Sequence, residues 1–133
     1  MIKLIKSTFY KEEKTKKELI EFVRKAKWLS FGRECEKFEE NFAKWQGRKY
    51  SILTNSGSSA NLALIQSLIN LGLIEKGDYV GYSSVTWSTN GMPLIQLGLR
   101  PIPIDVELDT LNVSSRTLND VLKKYGLKIL SLT

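Results

Sequence analysis

Two short stretches of this chain hold side chains whose types and spacing could do chemistry. The first, "TNSGSSANL" (54–62), places small hydroxyl and amide residues between an apolar segment and an apolar helical pattern. Asn55, Ser56 and Gly57 read as a turn, and Gly57 has the freedom to turn left-handed and to let an anion approach the main chain. Ser58 and Ser59 then fall at the cap and first turn of a helix. Free N–H groups, the helix dipole and two hydroxyls at that position suit a phosphate dianion. The same residues would also serve as a serine N-cap with nothing bound. Neither G-x-G-x-x-G nor G-x-x-x-x-G-K-[ST] occurs, so a dinucleotide or P-loop reading is weak. The second stretch, "SSVTWSTN" (83–90), sets Trp87 in a polar loop among small hydroxyl residues. A tryptophan so placed is available to stack on a flat ligand, or it anchors the loop against the core. A phosphate cradle beside an aromatic platform suggests a planar, phosphorylated cofactor.

These stretches need elements to position them. Leu19, Phe22, Val23 and Ala26 predict an amphipathic helix over about 11–27, broken by "WLSFG" with Gly32 as a stop. Cys35, Phe38, Phe42 and Trp45 make a second helical stripe that Gly47 ends. "YSILT" (50–54) reads as a short buried strand, and 58–71 as a helix apolar on nearly every side, hence buried. A turn at 75–78 leads to the strand "YVGYSS". A short helix from Asn90 to Leu97 is closed by Gly98. Ile102, Ile104 and Val106 alternate as in a strand, which Pro101 and Pro103 push toward a sheet edge or a strand start. Leu118, Val121, Leu122 and Tyr125 form a last helix closed by Gly126, and "LKILSLT" is a final strand. Two helices followed by β-α-β-α-β-α-β argue for an α/β fold with a largely parallel sheet and helices on both faces. A helical segment over 1–49 and an incomplete α/β domain over 50–133 follow. In open α/β sheets the ligand crevice lies beyond the C-terminal strand ends. The chain stops on a strand, where a functional loop is expected, so it reads as the N-terminal part of something longer.

Composition narrows the partners. The 133 residues carry a net charge of +6, and all of the excess lies in 1–49, with 14 basic and 8 acidic side chains there. A nucleic-acid arm, a basic rim near an anionic ligand and a solvated Lys/Glu helix face are the three readings. Helical apolar spacing in the same segment favours the solvated face. With no histidine and Cys35 as the one cysteine, neither an intrachain disulfide nor a metal site is expected. No membrane span or secretory signal is legible, and a cytoplasmic protein is expected.

"FEENFAKWQGRKYSILTNSGSSANLAL", "GDYVGYSSVTW" and "IQLGLRPIPIDVELDTLNV" resemble successive motifs of the DegT/DnrJ/StrS family. These are pyridoxal 5'-phosphate (PLP) enzymes acting on nucleotide sugars, with the type I, aspartate-aminotransferase-like fold. The resemblance covers nearly the whole chain from Trp28 onward, in order and with matching spacing. It implies that Gly57, Ser58 and Ser59 hold the cofactor phosphate and that Trp87 stacks on the pyridine ring. It implies that the loop with Gly32 lies near the sugar nucleotide and often reaches a neighbouring subunit, in a homodimer when the enzyme is complete. Asp105 matches an acidic strand end, with a structural role through loop hydrogen bonds. Ser58 replaces the more usual threonine, and Ser84 stands at or near a common proline. SGSSANL with VTWST is closer to the sugar 3-dehydrase branch, in which a histidine replaces the Schiff-base lysine, than to the plain aminotransferases. Family chains are much longer. Their Schiff-base lysine or histidine, pyridinium aspartate and small domain lie past the point matching Thr133. No catalytic residue is therefore expected within 1–133. The alternative to a sugar-biosynthetic enzyme portion is a non-catalytic remnant or split-chain partner, and PLP binding by this chain alone is expected to be weak or absent.

Overall fold

The computed structural model describes residues 8–125. The chain divides into two compact units between Ser51 and Ile52.

The first unit holds α1 (Glu12–Lys25) and α2 (Arg33–Trp45). Both have acidic residues in the first turn and basic ones in the last, which complements the helix dipole. Their charges pair along the surface: Lys14 with Glu18 at 3.7 Å, Lys16 with Glu12, Arg24 with Glu21 at 3.2 Å and Lys37 with Glu34 at 2.7 Å. Such i, i+3 and i, i+4 spacing is that of a solvated helix face. The apolar stripe of α2 is continuous, with Phe38 and Phe42 rings 5.7 Å apart and Phe42 and Trp45 rings 5.5 Å apart. Gly32 does not stop α1, which ends at Lys25 with Ala26 turning extended. It is instead the N-cap of α2, its carbonyl accepting from the Cys35 N–H at 2.9 Å.

The second unit runs α3 (Gly57–Asn70), β1 (Tyr79–Ser83), α4 (Ser88–Gln96), β2 (Arg100–Ile104) and α5 (Ser115–Tyr125). β1 and β2 pair in parallel, Tyr79 opposite Arg100 through Ser83 opposite Ile104, with α4 as the crossover. The Arg100 N–H donates to the Asp78 carbonyl at 2.9 Å, and the Ile104 carbonyl accepts from Ser84 at 2.9 Å. Even-numbered positions of β2 thus face β1. Pro101 and Pro103 turn their missing N–H groups to the other edge, where the ladder loses nothing. Ile65 of α3, Val80 of β1 and Leu94 of α4 are fully buried together with Ile74 and Leu99. α4 closes as expected at Gly98 (φ 78°), which frees Leu99 to bond the Leu94 carbonyl at 2.8 Å.

Two expectations fail here. Residues 50–54 form no strand, and Ile52 is 83% exposed. A strand is a property of two segments, and among the described residues this one has no ladder neighbour. α3 is not buried all round: Ile65 is its one buried residue, while Leu62 and Leu64 stay exposed. Its uniform apolarity exceeds what β1, α4 and the turns can cover. The final strand and Gly126 lie outside the described residues.

Past β2 the chain makes a braced loop. The Leu111 N–H donates to the Glu107 carbonyl at 2.8 Å, and the Glu107 N–H to the Asn112 carbonyl at 3.0 Å. Arg116 grips the Glu107 carboxylate with Nε at 3.2 Å and a terminal nitrogen at 2.8 Å, and Ser114 Oγ donates to it at 2.6 Å. Ser114 also starts α5, exchanging hydrogen bonds with buried Thr117. The Arg116 and Ser114 hydrogen bonds hold the Glu107 carboxyl below its ordinary 4.5. A depressed acid contributes stability above its unfolded value and loses it as pH falls through the lower folded one. Denaturant titrations should therefore show no contribution from this pair to pH dependence between pH 7 and about 5, then a loss below 4.5. Glu107→Gln should remove that part of the acid loss, and added salt should shrink it, because the pair is solvent-facing. An acid limb identical in Glu107→Gln would refute the brace.

Candidate functional site

The site is built on two helix starts at one end of the second unit. Strands β1 and β2 are parallel, so the loops that follow both open at their C-terminal ends. There the 84–87 loop leads into α4, and Asp105 bonds its carboxylate to the Val106 N–H at 2.9 Å, the local loop role expected of it.

At the first helix start, Ser56 is the N-cap, a position expected to fall on Ser58 and Ser59. Ser56 Oγ accepts from the Ser59 N–H at 3.2 Å and lies 3.2 Å from Ser59 Oγ. The Ser56 carbonyl is in turn held by Thr54 Oγ1 at 2.8 Å. Gly57, Ser58 and Ser59 are thus the first three helical residues. Gly57 is right-handed, not left-handed as its sequence context suggests. A Cβ placed on it would meet nothing within 4 Å, so the space over the helix start is open. Helix geometry leaves the Gly57 and Ser58 N–H groups without intrahelical acceptors. Those two donors, the exposed Ser58 hydroxyl and the half-buried Ser59 hydroxyl make a donor set fitted to a phosphate.

At the second helix start, Trp87 is the N-cap of α4 and is 74% exposed, which fits a stacking platform and not an anchor in the core. Its carbonyl accepts from the Asn90 N–H at 3.0 Å. Trp87 also walls a cleft of about 320 Å³ with Tyr82, Met92 and Ile95, which none of Gly57, Ser58 and Ser59 lines.

The two starts are tied together. Asn61 Nδ2, one turn into α3, donates to Asn90 Oδ1 at 2.6 Å and to the Thr89 carbonyl at 3.3 Å. Asn90 Nδ2 donates to Thr86 Oγ1 at 2.5 Å, next to Trp87. The sequence alone marks Ser56 as part of a turn and Asn90 as a helix start, and gives neither them nor Asn61 and Thr86 a role in joining the two helix starts. The local signal at Asn61 was an amide one turn into a mostly apolar helix, and it names no partner. Gly32 belongs to the first unit, at the start of α2. Among the described residues no group of three or more His, Cys, Asp and Glu could hold a metal ion, and no helix is long and apolar enough to cross a membrane.

The mixed α/β arrangement, with helices around a parallel sheet, is that of the type I, aspartate-aminotransferase-like fold of the solved structures it superposes on. The chain belongs to the DegT/DnrJ/EryC1/StrS aminotransferase family, which it matches over residues 10–131. It is 34% identical over 115 residues to a GDP-4-keto-6-deoxy-D-mannose 3-dehydratase of Escherichia coli strain CB9615, covering 85% of this chain and 30% of the relative. The crystal structure of the GDP-4-keto-6-deoxymannose-3-dehydratase ColD with bound GDP-perosamine superposes with a TM-score of 0.74 at 33% identity, over 89% of this chain and 30% of that one. An E. coli enzyme of the same name with bound hydrated PLP gives 0.72 at 25% identity, over 96% of this chain and 39% of that one. The chain thus spans about a third of the length of its relatives.

Proposed function

We propose that this chain is the N-terminal, cofactor-contacting portion of a PLP-dependent nucleotide-sugar 3-dehydratase or aminotransferase, a cytoplasmic enzyme of polysaccharide biosynthesis. The observation that carries the reading is the pairing of the Gly57–Ser59 helix start with the exposed Trp87 through Asn61 and Asn90. In it Gly57, Ser58 and Ser59 bind the cofactor phosphate through two N–H groups and two hydroxyls. Trp87 holds one face of the ring and sets its plane. Gly32 lies against the sugar nucleotide, and the complete enzyme is a homodimer. PLP, when bound, supplies the electron sink for chemistry at the sugar carbon.

The test uses Trp87 as reporter, in a chain with Trp28→Phe and Trp45→Phe. PLP should quench Trp87 saturably in the millimolar range, about −4 kcal/mol, and inorganic phosphate should compete. Quenching that rises linearly and ignores phosphate would sink the reading.

A further inference from the structure

We infer that Asn61 is a positioning residue that fixes the register between the phosphate-binding helix start and the Trp87 loop; this rests on the cofactor reading above. Pro93 is buried inside α4. A proline has no N–H, so it cannot donate to the carbonyl four residues back, that of Thr89. Thr89 is half-buried, so its carbonyl gains from a partner, and here the missing donor comes from another helix. Asn61 Nδ2 reaches the Thr89 carbonyl at 3.3 Å and Asn90 Oδ1 at 2.6 Å. The gap that Pro93 opens is thus where α3 docks. Ile65 and Leu94 set how near the two helices lie, but apolar contact alone tolerates sliding along the axis. Directional hydrogen bonds do not. Asn90 then passes the constraint to Thr86 Oγ1 at 2.5 Å, one residue before Trp87. A ligand with both a phosphate and a ring must meet both helix starts at a fixed spacing. A bare phosphate meets only one.

That contrast is the test. In the Trp28→Phe, Trp45→Phe chain, Asn61→Leu should lower the fluorescence anisotropy of Trp87 without ligand. It should weaken PLP by about tenfold while leaving inorganic phosphate within about twofold. Asn90→Ala should give the same pattern from the other side, and the two together should do little more than either alone. Equal loss of PLP and phosphate would mean that Asn61 merely stabilises α3, and an unchanged Trp87 anisotropy in both variants would also overturn the inference. If the parent chain binds neither ligand, the cofactor reading fails by itself, and the anisotropy of the two variants still decides whether Asn61 holds the loop.

Discussion

Gly57→Asp is expected to leave the second unit as stable as before, or slightly more so, while abolishing measurable phosphate affinity. The two effects have opposite signs because they arise at the same place. Gly57 is the first residue of α3, in right-handed conformation, and beyond its chain neighbours and its own helix backbone no atom lies within 4 Å of where a Cβ would go. A side chain therefore enters without strain. Glycine is a poor helix residue, and an acid in the first turn complements the positive end of the dipole, together a gain of roughly 0.5–1 kcal/mol. A phosphate dianion at the same N–H groups would meet that carboxylate across about 5 Å. At an effective dielectric of roughly 40–80 the repulsion is about 2–3 kcal/mol, or roughly 30- to 150-fold in affinity. Calorimetry should show an unchanged or raised melting temperature. Trp87 quenching by PLP should lose its saturable, phosphate-competed part. If PLP binds the variant as it does the parent, the anion sits elsewhere and the helix start of α3 is only a capped turn. Gly57→Ala separates shape from charge, since it should keep the stability gain and lose far less affinity.

What the sequence made legible depended on how local the controlling physics is. α1, α2, α4 and α5 follow from apolar spacing, helped by glycines just past α2 and α4, β1 from an apolar run after a turn, and β2 from alternation. Gly98 is clear because a helix that reverses into a strand needs a positive φ there. The 50–54 segment misled because its apolar run describes a surface seeking cover, while strand identity waits on a neighbour. α3 misled in the same way: its side chains are made to be covered on more faces than β1 and α4 present. The chemistry of "NSGSSAN" was legible in kind but off by two residues in place, since several serines in a row are each able to cap and only geometry selects Ser56. Asn61 was illegible for a different reason. Its partner is a carbonyl that a proline 32 positions away leaves open, and no local pattern encodes that.

Residues 1–133 in isolation are expected to self-associate across the micromolar range, and the physical reason is the same uncovered surface. Leu19, Ile20, Phe22 and Val23 on α1, and Phe38, Phe42 and Trp45 on α2, keep between 39% and 77% of their surface exposed. Full burial of a side chain of this size is worth roughly 1.5–3 kcal/mol, so about 1 kcal/mol remains to be gained at each. Two copies that cover each other would gain roughly 14 kcal/mol, against an association cost of roughly 4–15 kcal/mol. Within the second unit Leu62 and Leu64 add to the same side of the balance. In the relatives, some two thirds of the chain lies outside the matched part and is available to cover such faces. Sedimentation velocity should show the weight-average coefficient rising with concentration. Phe38→Lys with Trp45→Lys should suppress that rise without lowering the melting temperature, because neither side chain is buried and each lysine replaces apolar surface with charge. A monodisperse monomer that melts cooperatively at every concentration would contradict this. It would mean that the exposed stripes of α1 and α2 cover one another in solution and that the chain folds as a self-sufficient small domain.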